Sequence, residues 1–168
     1  RDADADYNLF RVKTDSLTGK QIERGASYTI DWFIAPDGTV LAREDMNNRK
    51  NLHEIDSFVT GKSVEIYSEE TEIPHISVLG LTQERDKLVV VDGMEGSAYD
   101  ALYTMDLRSG ELSKPMFHRD DREIDAVLID KNRIAYGVRY SGMTPTYDFF
   151  DKALAADIEN TIKGFDTI

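Results

Sequence analysis

The sequence contains no cysteine, which excludes disulfides, thiolate nucleophiles and cysteine-ligated zinc or iron–sulfur centres at once and leaves the redox compartment open. It contains no apolar run near the roughly 18 residues that a membrane-spanning helix needs. Its opening residues, Arg1-Asp2-Ala3-Asp4-Ala5-Asp6, lack the apolar core of a signal peptide. Basic residues are scarce: twenty Lys and Arg stand against thirty-two Asp and Glu, a net charge of −12. Such a balance repels phosphate backbones and anionic headgroups, so neither nucleic acid nor a membrane surface is expected as a partner. The chain begins at Arg1 rather than at methionine, and the expectation is of a processed or excised piece that need not carry its parent's chemistry.

What is present suits a packed domain. The chain has 168 residues, 40% of them hydrophobic, enough to bury a real core without disulfides or metal. Internal repetition organises it. Leu9, Leu52 and Leu102 each open an apolar-alternating strand that runs to a Gly-containing turn at Thr18-Gly19-Lys20, Thr60-Gly61-Lys62 or Ser109-Gly110-Glu111, at spacings of 43 and 50 residues. Between these units lie hairpins: 29–34 with 39–42 around Asp37-Gly38, 76–81 with 87–91, and 124–129 with 133–138 around Asp130-Lys131-Asn132. Asp37-Gly38 is a strong turn signal, and Asn132 is the residue expected in the left-handed position of its turn.

Four strands about every 45 residues is the rhythm of a β-propeller blade, whose inner strands are apolar on both faces because blades stack. Leu88-Val89-Val90-Val91 fits such a strand. A β-sandwich also uses short strands and turns, but does not predict the same pair of hairpins recurring in order. The expected fold is all-β, a partial propeller of three to four four-stranded antiparallel blades within one domain of residues 1–168. The repeats fall at roughly 1–28, 29–75, 76–123 and 124–150. A helix follows at roughly 151–163, with Leu154, Ile158 and Ile162 along one face, Asp151 as its cap and Gly164 just past its end. A propeller needs at least about four blades to close. The chain is therefore expected to be part of a larger wheel, or to hide its open edges by edge-to-edge self-association.

No motif supplies a self-contained active site, and no catalytic, cofactor or metal residue is assigned. Asp2, Asp4 and Asp6 imitate the start of a calcium loop, but the sixth position is Tyr7 instead of Gly and the twelfth is Lys13 instead of Glu. Thr60-Gly61-Lys62-Ser63 resembles the end of a phosphate-binding loop, yet its first glycine position is Asp56 and no helical pattern follows; it reads as a hairpin turn. His53, His75 and His118 are too scattered for a zinc signature. His118 beside Asp120 and Asp121 is an acid–base candidate whose simpler reading is a solvated loop. Glu69 and Glu70 could hold a substrate ammonium group, and read more simply as an acidic loop between strands. Ser97 follows Gly96, but no Gly-x-Ser-x-Gly occurs anywhere.

The runs Leu102-Tyr103-Thr104-Met105-Asp106-Leu107-Arg108-Ser109-Gly110-Glu111-Leu112, Ile124 to Asp130, Gly137-Val138-Arg139-Tyr140 and Tyr147 to Leu154 resemble the propeller part of bacterial prolyl oligopeptidase family serine peptidases. Trp32-Phe33-Ile34-Ala35-Pro36-Asp37-Gly38-Thr39 is similar to the aromatic–Ser–Pro–Asp–Gly hairpin of TolB-like propellers, with Ala35 in place of Ser. The resemblance implies a parent peptidase in which the propeller sits over an α/β-hydrolase domain and restricts which peptides reach its Ser, Asp and His. The implied partners are that hydrolase domain and the peptide substrate, with no cofactor. Analogy with bacterial relatives suggests a periplasmic compartment, while the residues themselves leave it open, the cytoplasm included. Glu69-Glu70 does not match the aromatic-flanked double glutamate of the dipeptidyl peptidase branch, so no amine-binding role is carried over. The alternatives are a stand-alone TolB-like propeller acting through protein–protein contact, and an enzyme with a carboxylate-only site at Glu69 and Glu70.

Overall fold

A computed structural model describes residues 7–165. Asp2, Asp4 and Asp6, and the side chain of Ile162, lie outside the described residues. Twelve strands precede one helix: β1 Leu9–Val12, β2 Gly19–Glu23, β3 Thr29–Ile34, β4 Val40–Asn47, β5 Leu52–Ser57, β6 Val64–Glu70, β7 Ser77–Leu81, β8 Lys87–Gly93, β9 Asp100–Asp106, β10 Ile124–Ile129, β11 Ala135–Tyr140, β12 Thr146–Phe149 and α1 Lys152–Phe165. They form four antiparallel sheets in strict chain order, β1-β2, β3-β4-β5-β6, β7-β8-β9 and β10-β11-β12. Among the described residues no strand crosses over to return beside an earlier one, as a Greek-key sandwich requires. Successive up-and-down meanders are propeller blades, and the fold class is a partial β-propeller with a C-terminal helix.

Among the described residues only β3–β6 is a regular four-stranded blade. In the next sheet the fourth position is taken by 112–117, bound to β9 through Leu102 N to Phe117 O, Met116 N to Leu102 O and Ser113 N to Thr104 O. Pro115 has no amide hydrogen to donate there, which is one reason the segment forms bridges instead of a continuous strand. The last sheet has three strands, and α1 lies against β12.

The chain divides into two compact units, one of residues up to His75 together with Asp106–Glu111, the other of Ile76–Met105 and Leu112 onward. In the first unit, β5 alternates so that His53, Ile55 and Ser57 are buried while Leu52, Glu54 and Asp56 are half-buried. Trp32 on β3 is buried; its indole N–H donates to Tyr7 O at 2.8 Å, and the Arg43 guanidinium lies 5.8 Å from the centre of its ring. Arg43 also pairs with Asp45 and Asp56 at 2.8 and 2.7 Å, so burial of the acidic Asp45 is offset by a local cation. In the second unit Val89, Leu102, Ala135, Val138 and Tyr140 form one core shared by two sheets, flanked by Val91, Phe117, Ile124, Val127 and Phe150. Those sheets also meet through their backbones, where Leu81 N donates to Arg133 O at 2.8 Å.

Three hairpins close by one pattern. Gly38 N donates to Ala35 O, Arg85 N to Thr82 O and Arg133 N to Asp130 O, at 2.8, 3.0 and 2.9 Å. The donor residue is left-handed in each, with φ of 87°, 59° and 62°. This corrects the expectation for Asn132. Asp130 Oδ1 accepts the amides of Asn132 and Ile134, both at 2.8 Å, and the chain reverses hand one residue later, at Arg133. A left-handed residue with a Cβ costs roughly 1 kcal/mol, so the two arginines hold conformations that Gly38 adopts freely.

A candidate ligand cleft in the second unit

Two of these turns and the start of the helix enclose a cleft of about 820 Å³. The β7–β8 turn supplies Thr82 to Lys87, the β10–β11 turn supplies Asp130 and Ile134, and Phe150, Asp151 and Leu154 come from the junction of β12 with α1. Its apolar surface includes Ile134, Ala135, Phe150, Leu154 and Met116. Phe150 is fixed by its amide, which donates to Tyr136 O at 3.1 Å, and by its ring, 4.8 Å from that of Phe117. Asp151 ends the cleft as the N-cap of α1, its Oδ1 accepting the Ala153 and Leu154 amides at 2.7 and 3.4 Å.

The three aspartates of this cleft, Asp86, Asp130 and Asp151, are engaged. Asp86 Oδ1 accepts from the Thr82 hydroxyl at 3.0 Å. Asp130 is held below the ordinary carboxylate range by the Ile134 amide, with further lowering by the Asn132 amide and side chain and by the Arg85 charge. Arg85 is different: its Nε is buried and has no hydrogen-bond partner among the described residues. A cleft that mixes apolar walls with a few polar groups is the usual form of a small-ligand site. A second cleft of about 400 Å³, lined by Tyr99, Asp121, Arg122 and Ser141 to Thr144, has its cation satisfied, since Arg122 pairs with Asp121 at 2.7 Å.

The residues singled out in the sequence lie elsewhere. Glu69, on β6, accepts from the Tyr67 hydroxyl at 3.0 Å and contacts His75 Nδ1. Burial raises its pKa, but the bonds from His75 and Tyr67 outweigh burial and leave it below the ordinary glutamate value. Glu70 is exposed and takes no part in that group. Across the same sheet His53 is fully buried, its Nε2 2.8 Å from Glu44 and its ring edge-on to Tyr67 at 5.6 Å. Glu44, His53, Tyr67, Glu69 and His75 thus run as a series of contacts through the first unit, which the sequence did not reveal. The readable signal was a histidine at a buried position of a period-two strand. This series borders neither cleft.

His118 Nε2 bonds Asp120 at 2.9 Å, while Asp121 turns to Arg122. Thr60 to Ser63 is a hairpin turn between β5 and β6, with Gly61 at φ 81°. Ser97 Oγ accepts the Tyr99 amide at 3.0 Å inside a loop turn. Among the described residues no three His, Asp or Glu side chains are grouped as a metal site, and no helix is long and apolar enough to cross a membrane.

No protein-family model and no curated protein matches the chain. Among solved structures it is similar to the β-propeller domain of the Trilobed protease from Pyrococcus furiosus, at 17% identity and a TM-score of 0.40, over 86% of this chain and 53% of that one. This chain therefore spans about half the length of that structure.

Proposed function

We propose that the chain is the non-catalytic propeller region of a prolyl oligopeptidase-like serine peptidase, gating peptide access to an α/β-hydrolase domain. The observation that carries this reading is the threefold recurrence of one hairpin, at Ala35–Thr39, Thr82–Lys87 and Asp130–Ile134, each opening an up-and-down sheet. Blades repeated in this way form a scaffold around a channel, and the chemistry of such a protein is carried outside the scaffold. The resemblance of Gly137-Val138-Arg139-Tyr140 and Tyr147 to Leu154 to the peptidase propellers adds the hydrolase domain and a peptide substrate as partners.

The parent reading frame tests it. A Gly-x-Ser-x-Gly followed by Asp and His is the expected result, and a frame without one overturns the reading. The purified chain is expected to hydrolyse no peptide; hydrolysis abolished by a serine-directed inhibitor counts equally against it. A second reading, a propeller module working through protein contact, is favoured by the apolar surface of β1–β2, where Phe10 and Val12 are each 53% exposed and Leu17 is 82% exposed.

A further inference from the structure

Position 85 holds an arginine where the equivalent turn of the first unit holds Gly38. The backbone there favours glycine, so the reason for arginine lies in its side chain. At the third equivalent turn that reason is visible, because Arg133 Nη2 donates to Leu79 O at 3.5 Å. Arg85 has no such bond from its Nε, although this nitrogen is buried in the wall of the larger cleft. The aspartates around it are committed to the Thr82 hydroxyl and to turn and helix amides. Arg85 Nε is therefore a buried cationic donor without an acceptor, set beside apolar surface from Ile134, Phe150 and Leu154.

We propose that this cleft binds the C-terminal carboxylate of a short peptide ending in an aliphatic residue, with Arg85 pairing the carboxylate and the apolar wall taking the side chain. Guanidinium and carboxylate match in charge and in planar, forked geometry. A bound carboxylate supplies the acceptor that the Arg85 Nε lacks once the guanidinium turns toward it. Polyanions such as phosphate are disfavoured, because Glu84, Asp86, Asp130 and Asp151 line the same cleft and repel a second negative charge. The inference rests on the cleft alone and stands whether or not the chain serves a peptidase.

The test is calorimetric titration of the intact chain with N-acetyl-alanyl-leucine, its C-terminal amide and inorganic phosphate. The acid is expected to bind, and the amide at least about tenfold more weakly. Arg85→Gly suits the φ of 59° and preserves the turn, so it is expected to remain folded by circular dichroism while binding the acid no better than the amide. Equal binding of acid and amide, tighter binding of phosphate, no binding of the acid, or unchanged binding by a folded Arg85→Gly variant overturns the proposal.

Discussion

Gly80 lies against the carbonyl of Arg133 so closely that a Cβ at position 80 would stand 2.6 Å from that oxygen. The same carbonyl accepts the Leu81 amide, so the two sheets of the second unit are joined where no side chain fits. Gly80→Ala is expected to force them apart and to cost about 1–3 kcal/mol, read as a lower urea midpoint. Gly61→Ala is the control: it meets open space, and its φ of 81° alone is expected to cost roughly 1 kcal/mol.

Tyr140 is fully buried in the core of the second unit, with the Arg119 guanidinium 4.6 Å from its ring centre and Asp148 paired to that arginine at 3.0 Å. Its hydroxyl feels both groups but is aligned with neither for a regular hydrogen bond. Burial, reinforced by Asp148 and opposed by Arg119, pushes the phenol from 10.0 up to about 12. Because the folded value is the higher one, the stabilisation is complete below about pH 10 and is lost as pH rises through the folded value, by on the order of 2–3 kcal/mol. Tyr140→Phe is expected to flatten this alkaline limb in urea midpoints recorded between pH 9 and 12.

Glu54 on β5 is raised above the usual glutamate value, first by burial and then by its hydrogen bond with Glu65, with Asp45 and Asp56 adding to the negative field. The protonated form is the one the fold favours, so stability is lost as pH rises through the folded pKa. Glu54→Gln is expected to be more stable than the parent at pH 7 by about 0.5–1 kcal/mol, with the difference closing near pH 4. Thermal melts at the two pH values measure it.

Removing the helix cap separates local from global stability. Asp151→Ala is expected to fray the first turn of α1 at a cost of about 1 kcal/mol, and Asp151→Asn to retain most of the cap. Amide exchange at Ala153 and Leu154 reads the difference, because exchange reports local opening.

Local signals in the sequence carried the blades. Asp37-Gly38, Thr60-Gly61 and the apolar run of β8 each announce their own geometry, since a turn or a buried strand is specified within a few neighbouring residues. The Leu154 and Ile158 spacing announced α1 in the same way. Sites depend on register, and here the sequence was silent. Glu44 meets His53 only because β4 pairs Met46 with His53 and Glu44 with Ile55, and Glu69 of β6 pairs with His53 of β5. The cleft brings Arg85 near Asp130 from turns that no local pattern connects. Residue preference favours Asn132 for the left-handed position, and the hydrogen bonds of Asp130 place that position at Arg133 instead.

The first compact unit takes its residues up to His75 from one stretch of chain and Asp106–Glu111 from another, with Leu107 only 1% exposed and Gly110 close against the Ile66 carbonyl. During synthesis this unit remains incomplete until position 111 has left the ribosome, 36 residues after position 75. At about 5–20 residues per second that interval lasts roughly 2–7 s, in which the β6 side of the unit lacks its closing loop and is open to a chaperone.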